Sequence, residues 1–229
     1  MAAREARRPA DSVVTVSGAG RAALTRERIL TAAERLFAEQ GVHAVSNRQV
    51  SEAAGQGNNT AVGYHFGSKA DLVRAIVRRH IDAIEATREQ MVAEVGAGAG
   101  VREWVACMVR PITVHLDSLG SPTWFARFAA QIMTDPELRG IMTDEALGSP
   151  PLLQVLLGLE RCLPTLPHEV RSERAIICRI LMVHVVAERE QALAHGEPPL
   201  RASWQAAANG LVDAIVGVWL APVTATADG

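Results

Sequence analysis

The sequence predicts an all-α protein, and three observations carry that expectation. Aromatic residues make up only 4% of the 229 positions, while Ala is abundant and β-branched clusters are few, a balance that favours helix over strand. Apolar residues recur at three- and four-residue spacing in one segment after another. Between those segments lie GAGAG at 96–100, PTLP at 164–167 and GEPP at 196–199, Gly- and Pro-rich breaks that stop helices. With 48% hydrophobic and 21% charged residues, the chain has the make-up of a globular protein with a sizeable core.

Taken in order, residues 1–24 show no sustained period and are expected to form a flexible basic tail. Thr25 is a plausible cap for a first helix whose buried face is Ile29, Leu30, Ala33, Leu36 and Phe37, stopped at Gly41. Ser46 or Asn47 caps a second helix through Val50, Ala53 and Ala54, ended by Gly55. A short third helix fits Asn59 to Phe66, and Gly67 breaks it. Ser68 caps a fourth that continues to about Val95, with Leu72, Val73, Ile76, Val77, Ile81 and Ile84 as its stripe. GAGAG is the best internal boundary. Beyond it come helices over 101–119, bent at Pro111, 122–134, 137–147, 150–163, 168–195 and 203–220. Residues 223–229 are expected to be a flexible tail.

The net charge of −2 hides an asymmetry. Residues 1–80 hold 12 Lys/Arg against 7 Asp/Glu, and residues 81–229 hold 11 against 18. A basic front suits a polyanionic partner. The single lysine, Lys69, and the single tyrosine, Tyr64, both fall in 58-NNTAVGYHFGSKAD-71. Cys107, Cys162 and Cys178 form no CxxC and have no nearby His at ligand spacing, so reduced, mostly buried thiols are expected. No cofactor, metal or catalytic residue is expected. No apolar run reaches the roughly 20 residues that span a bilayer and no signal-peptide core is seen, so a cytoplasmic protein without membrane association is expected.

Three short helices with a Gly-containing turn between the second and third make a helix-turn-helix, whose second helix lies in the major groove. Asn58, Asn59 and Thr60 suit base contacts, because amides pair with adenine and a Thr methyl meets thymine. Helix starts clamp phosphates through free backbone N–H groups. Ser46/Asn47 and Ser68/Lys69 are two such starts, Arg48 lies near the first of them, and Tyr64 and His65 complete the candidate DNA-binding set.

The run RILTAAERLFAEQG, the AAG turn and YHFGSKADLV resemble the DNA-binding domain of the TetR family of bacterial regulators over about residues 25–80. The turn reads GQGNN, one residue longer than the commonest pattern. Gly63 occupies the usual Tyr position, and Tyr64 sits one place later. The resemblance implies an N-terminal helix-turn-helix domain (25–70) joined by a long helix to a C-terminal helical bundle (71–222) for ligand binding and dimerisation. It implies a homodimeric transcriptional repressor that binds a near-palindromic double-stranded DNA operator and is released by a small-molecule effector. A ligand-independent regulator or an activator of the same fold is an alternative, and a helical carrier or enzyme is one of another class. Against an enzyme, no paired carboxylates, metal spacing or nucleophile–base motif occurs.

A pocket in such a bundle should be apolar with a few convergent polar groups. Trp104, Met108, His115, Trp124, Phe128 and His184 are the candidate ligand-binding residues, with Gln131 and Arg179 as further polar groups inside apolar stripes. In the family, the last two long helices of each subunit form a four-helix bundle. Trp204, Leu211, Ile215 and Trp219 are therefore the expected dimer interface.

Overall fold

A computed structural model describes residues 18–57 and 60–224, all helix and connecting turns. Ten helices follow one another among the described residues: α1 (Gly18–Gln40), α2 (Asn47–Ala53), α3 (Ala61–Phe66), α4 (Lys69–Glu94), α5 (Val101–Ser118), α6 (Phe125–Thr134), α7 (Arg139–Leu147), α8 (Pro150–Cys162), α9 (His168–Ala194) and α10 (Trp204–Leu220). Asn58 and Asn59, the two amides assigned to base contacts, lie outside the described residues, as do 1–17 and 225–229.

Several boundaries move for identifiable reasons. α1 starts at Gly18, not at the expected Thr25 cap. Arg21, Ala22, Ala23 and Leu24 are strong helix formers, so residues 18–24 extend the helix rather than lie in a tail. α6 starts at Phe125, not Pro122. Its first N–H groups are satisfied from another helix: the buried Glu190 carboxylate on α9 accepts from Ala126 N at 3.1 Å, Arg127 N at 3.0 Å and Thr123 Oγ1 at 2.7 Å. α7 starts at Arg139 because Asp135 Oδ1 takes the N–H groups of Glu137 and Leu138 into a turn. α2 and α4 each begin on a capping box, Ser46 with Gln49 and Ser68 with Asp71.

α1 and α3 pack against α4, and α2 packs on α1 and α3. α4 then runs on against α5, α7 and α8, and α10 lies along α5. α6 is wedged between α9 on one side and α1 on the other. A continuous set of buried side chains runs from Ile29 and Phe37 through Ile76 and Phe128 to Val155 and Ile215. Phe37 of α1 stacks on Phe128 of α6 at 6.3 Å between ring centroids. The front and back halves of the chain therefore share a core.

Pro111 sits inside α5 and removes the N–H that would bond to the Cys107 carbonyl. Arg88 of α4 replaces it. Its Nη1 donates to Cys107 O at 2.7 Å and Met108 O at 3.2 Å, while its Nε faces the Glu85 carboxylate at 2.9 and 3.1 Å. A buried cation is thus neutralised and an orphaned carbonyl satisfied by one side chain.

Candidate nucleic-acid interface and effector cavity

The α2–α3 pair is held from below and open above. Val50 and Ser51 of α2 and Ala61 and Val62 of α3 are buried. Gly55, with φ +69, lies in the left-handed region at the turn between the helices, where a side chain would be strained. On the outer face Arg48 is exposed and bonds to Glu52 at 2.7 Å, which raises the Arg48 pKa further. Ser46 is exposed, and Asn47 is half-buried with its Oδ1 enclosed and without a partner. Thr60 is the N-cap residue of α3.

Tyr64 is 86% exposed, and its ring meets His65 edge-on at 5.1 Å. A large aromatic standing in water at the end of a rigid element marks a contact surface more than a packing site. Phe66 is half-buried with the Arg26 guanidinium 4.8 Å over its ring.

Lys69 has a duty that the sequence did not suggest. Its Nζ donates to Val42 O at 3.0 Å and Val45 O at 2.6 Å. Side chains in the first helical turn point back toward the helix start, and here that direction meets the α1–α2 loop. Two of the three ammonium protons therefore tie α4 to the loop in front of α2.

A buried polar chain joins this front end to the rest of the bundle. His80 of α4 lies between Glu34 of α1 (Nε2 to Oε2, 2.9 Å) and His115 of α5 (Nδ1 to Nε2, 2.8 Å), and stacks on Phe125 of α6 at 3.9 Å. A carboxylate only accepts, so His80 donates from Nε2 to Glu34. Burial, and then the neighbouring His80, push the His115 pKa down to about 4. The signal was present in the sequence: positions 73, 77, 80, 84 and 88 continue one helical stripe, which puts His80 and Arg88 on the buried face.

Behind this chain lies an apolar cavity of about 520 Å³, walled by α4 to α10. That volume suits a small organic molecule. Of the six candidate ligand residues, Met108 lines it. Trp104 packs against Gly158 of α8, so close that a Cβ there would stand 2.3 Å from the indole. His115 is taken by His80, Phe128 is in the core against Phe37, and Trp124 stands at the N-cap of α6. His184 is exposed on the outer side of α9. These residues lie on or beside the helices that wall the cavity but face elsewhere, because helical spacing gives a stripe without saying which neighbour it meets. The wall instead uses Ile81, Ile84, Ile112 and Leu116 with Met133, Met142 and Met182, and Arg179 lines it as well. Gln131, the other polar group considered, is exposed.

The four expected interface residues also move inward. Trp204, Leu211, Ile215 and Trp219 are buried within the single chain, where α10 packs on α5 and α9. The large apolar side chains that α9 leaves in solvent are Ile176, Ile177, Ile180 and Val185. Cys107 and Cys178 are buried and Cys162 half-buried, all as free thiols. Among the described residues, no group of three or more His, Cys, Asp and Glu side chains is placed to hold a metal ion, and no helix is long and apolar enough to cross a membrane.

Comparison with known proteins agrees with this geometry. Residues 29–76 match the family described as bacterial regulatory proteins, tetR family. The HTH-type transcriptional repressor AcnR of Corynebacterium efficiens is 31% identical over 123 residues, which span 52% of this chain and 57% of that repressor, little more than half its length. Among solved structures, a tetR family transcription regulator from Shewanella sp. PV-4 superposes with a TM-score of 0.54 at 18% identity, covering 85% of this chain and 96% of that one. GusR of Salmonella enterica does so with a TM-score of 0.51 at 20% identity, covering 85% and 95%. At these identities the structural likeness establishes the fold.

Proposed function

We propose that the chain, whose residues 29–76 match the tetR family of bacterial regulatory proteins, is a homodimeric, cytoplasmic transcriptional repressor released from its operator by a small-molecule effector. Residues 25–70 act as the DNA-binding module and residues 71–222 as the sensing and dimerising one. The observation that carries this reading is Tyr64, 86% exposed at the end of α3, on a helix-turn-helix whose core is continuous with a cavity-bearing bundle. Ser46, Asn47, Arg48, Thr60 and His65 share the reading surface, and the same role is assigned to Asn58 and Asn59, which fall between α2 and α3 in the sequence. The named repressor function of the Corynebacterium relative supports repression as the mode of action.

The coupling runs through α6. Phe125, Ala126 and Met133 line the cavity, while Phe128 on the same helix stacks on Phe37 of α1. A ligand that displaces α6 displaces α1 and with it α2 and α3. It releases DNA only to the extent that it binds the DNA-incompetent arrangement more tightly.

The test is a fluorescence-anisotropy titration of the full chain against an operator duplex. Tyr64→Ala should weaken binding by about tenfold, corresponding to the roughly 1–3 kcal/mol of a nucleic-acid contact, at an unchanged thermal midpoint. Wild-type affinity in that variant would show that the end of α3 does not meet DNA.

A further inference from the structure

The charges of the cavity wall do not balance, and the surplus indicates what the cavity takes. Its charged lining groups are Glu85, Arg88, Glu160, Arg171 and Arg179. Arg88 is spent on Glu85 and two backbone carbonyls. Arg171 is paired with Glu160 at 2.8 Å. Arg179 makes no hydrogen bond or ion pair among the described residues, although it is half-buried at an otherwise apolar wall. Trp219, also in the lining and 6% exposed, has a buried indole N–H without an acceptor. Both surplus groups are hydrogen-bond donors. An unpaired cation beside apolar surface is costly to the empty protein and is relieved by an anion placed against it.

We propose that the cavity binds a monoanionic amphiphile, an apolar aliphatic body carrying one carboxylate that pairs with Arg179. One planar guanidinium matches one carboxylate in a two-bond pair. A dianion would leave a second negative charge near Glu85 and Glu160. Methionine-rich walls re-pack around bodies of different shape, so Met108, Met133, Met142 and Met182 tolerate variation in the chain while Arg179 selects the head. This ligand class rests on the effector cavity argued under Proposed function, and the test separates the two.

The experiment is isothermal titration of the full-length, delipidated protein with decanoate, 1-decanol and decylamine, each below its micellar concentration. Decanoate should bind about ten- to a hundredfold tighter than 1-decanol, the range expected for a charge-assisted hydrogen bond, and decylamine most weakly. Arg179→Gln should erase the preference for decanoate and leave the 1-decanol affinity unchanged. Arg179→Lys, which retains the charge, should keep much of the preference and serves as the second variant if Arg179→Gln fails to fold by circular dichroism. Equal binding of decanoate and 1-decanol, or a preference that survives Arg179→Gln, would overturn the proposal, as would the absence of binding by all three probes. The same ligands are then added to the protein–operator complex. Decanoate that binds with the predicted preference yet leaves the complex intact supports the ligand class and overturns its role as effector.

Discussion

Lys69 illustrates how one side chain can be placed for two reasons. Its ammonium already holds the carbonyls of Val42 and Val45, so its first contribution is to fix the loop that presents α2. Lys69→Ala should lower stability by about 1–3 kcal/mol, the cost of leaving enclosed polar groups unmade, and thermal unfolding would register it. An unchanged midpoint with lost DNA affinity would instead make the ammonium a phosphate clamp alone. His115 sets a pH dependence of defined sign. Burial holds its folded pKa at about 4, below the ordinary value of 6.5. Between those values the unfolded chain takes up a proton that the folded chain refuses, so stability is flat above pH 6.5 and declines as pH falls from 6.5 toward 4. Urea midpoints measured between pH 7 and 5 should fall in the wild type and fall less steeply in His115→Gln. Equal slopes in both would remove His115 as the cause.

At the scale of elements, each helix answers to its neighbours more than to its own sequence. α8 fits against α5 only because position 158 has no side chain: a Cβ on Gly158 would stand 2.3 to 2.5 Å from the Trp104 ring. Gly158→Ala should therefore cost about 1–3 kcal/mol in denaturant unfolding, the usual penalty of overpacking, and Trp104→Leu in the same chain should recover part of it. A midpoint unchanged in Gly158→Ala would show that α5 and α8 separate easily. This dependence on neighbours also explains what the sequence disclosed. The helices and their Gly and Pro stops were legible because period and punctuation are local properties. Start signals were legible where the cap is local, as at Ser46 and Ser68, and illegible at α6, whose cap is Glu190 from a helix more than 60 residues away. The wall of the cavity was largely illegible: α9 is apolar on two sides, one facing Ile84 and Met108 and the other facing solvent, and only packing tells Met182 from Ile180. Tyr64 stood out by its uniqueness in the sequence and stands out again by its exposure, whereas Trp204 and Trp219 were read as surface anchors and belong to the core.

At the scale of the whole molecule, the proposed dimer needs a surface, and the exposed side of α9 offers one. Ile176, Ile177, Ile180 and Val185 of α9 are 38–51% exposed, large apolar side chains that a second copy of the chain would cover in the proposed dimer. Ile180→Glu should shift the protein from dimer to monomer in sedimentation velocity and weaken operator binding in parallel, since one short recognition helix reads few bases. A dimer that survives Ile180→Glu would place the two-fold axis elsewhere. The basic front and acidic back of the sequence are consistent with such a dimer directing two helix-turn-helix units at one duplex. The most direct test is selection from a random double-stranded DNA library with the full-length protein, followed by sequencing of the bound fraction. A two-fold-symmetric motif with half-site centres about 34–36 Å apart, the spacing of adjacent major grooves on one face of the duplex, is the predicted result, together with its loss in Tyr64→Ala. A bound fraction with no enriched motif, or one equally enriched by Tyr64→Ala, would contradict sequence-specific recognition by α3.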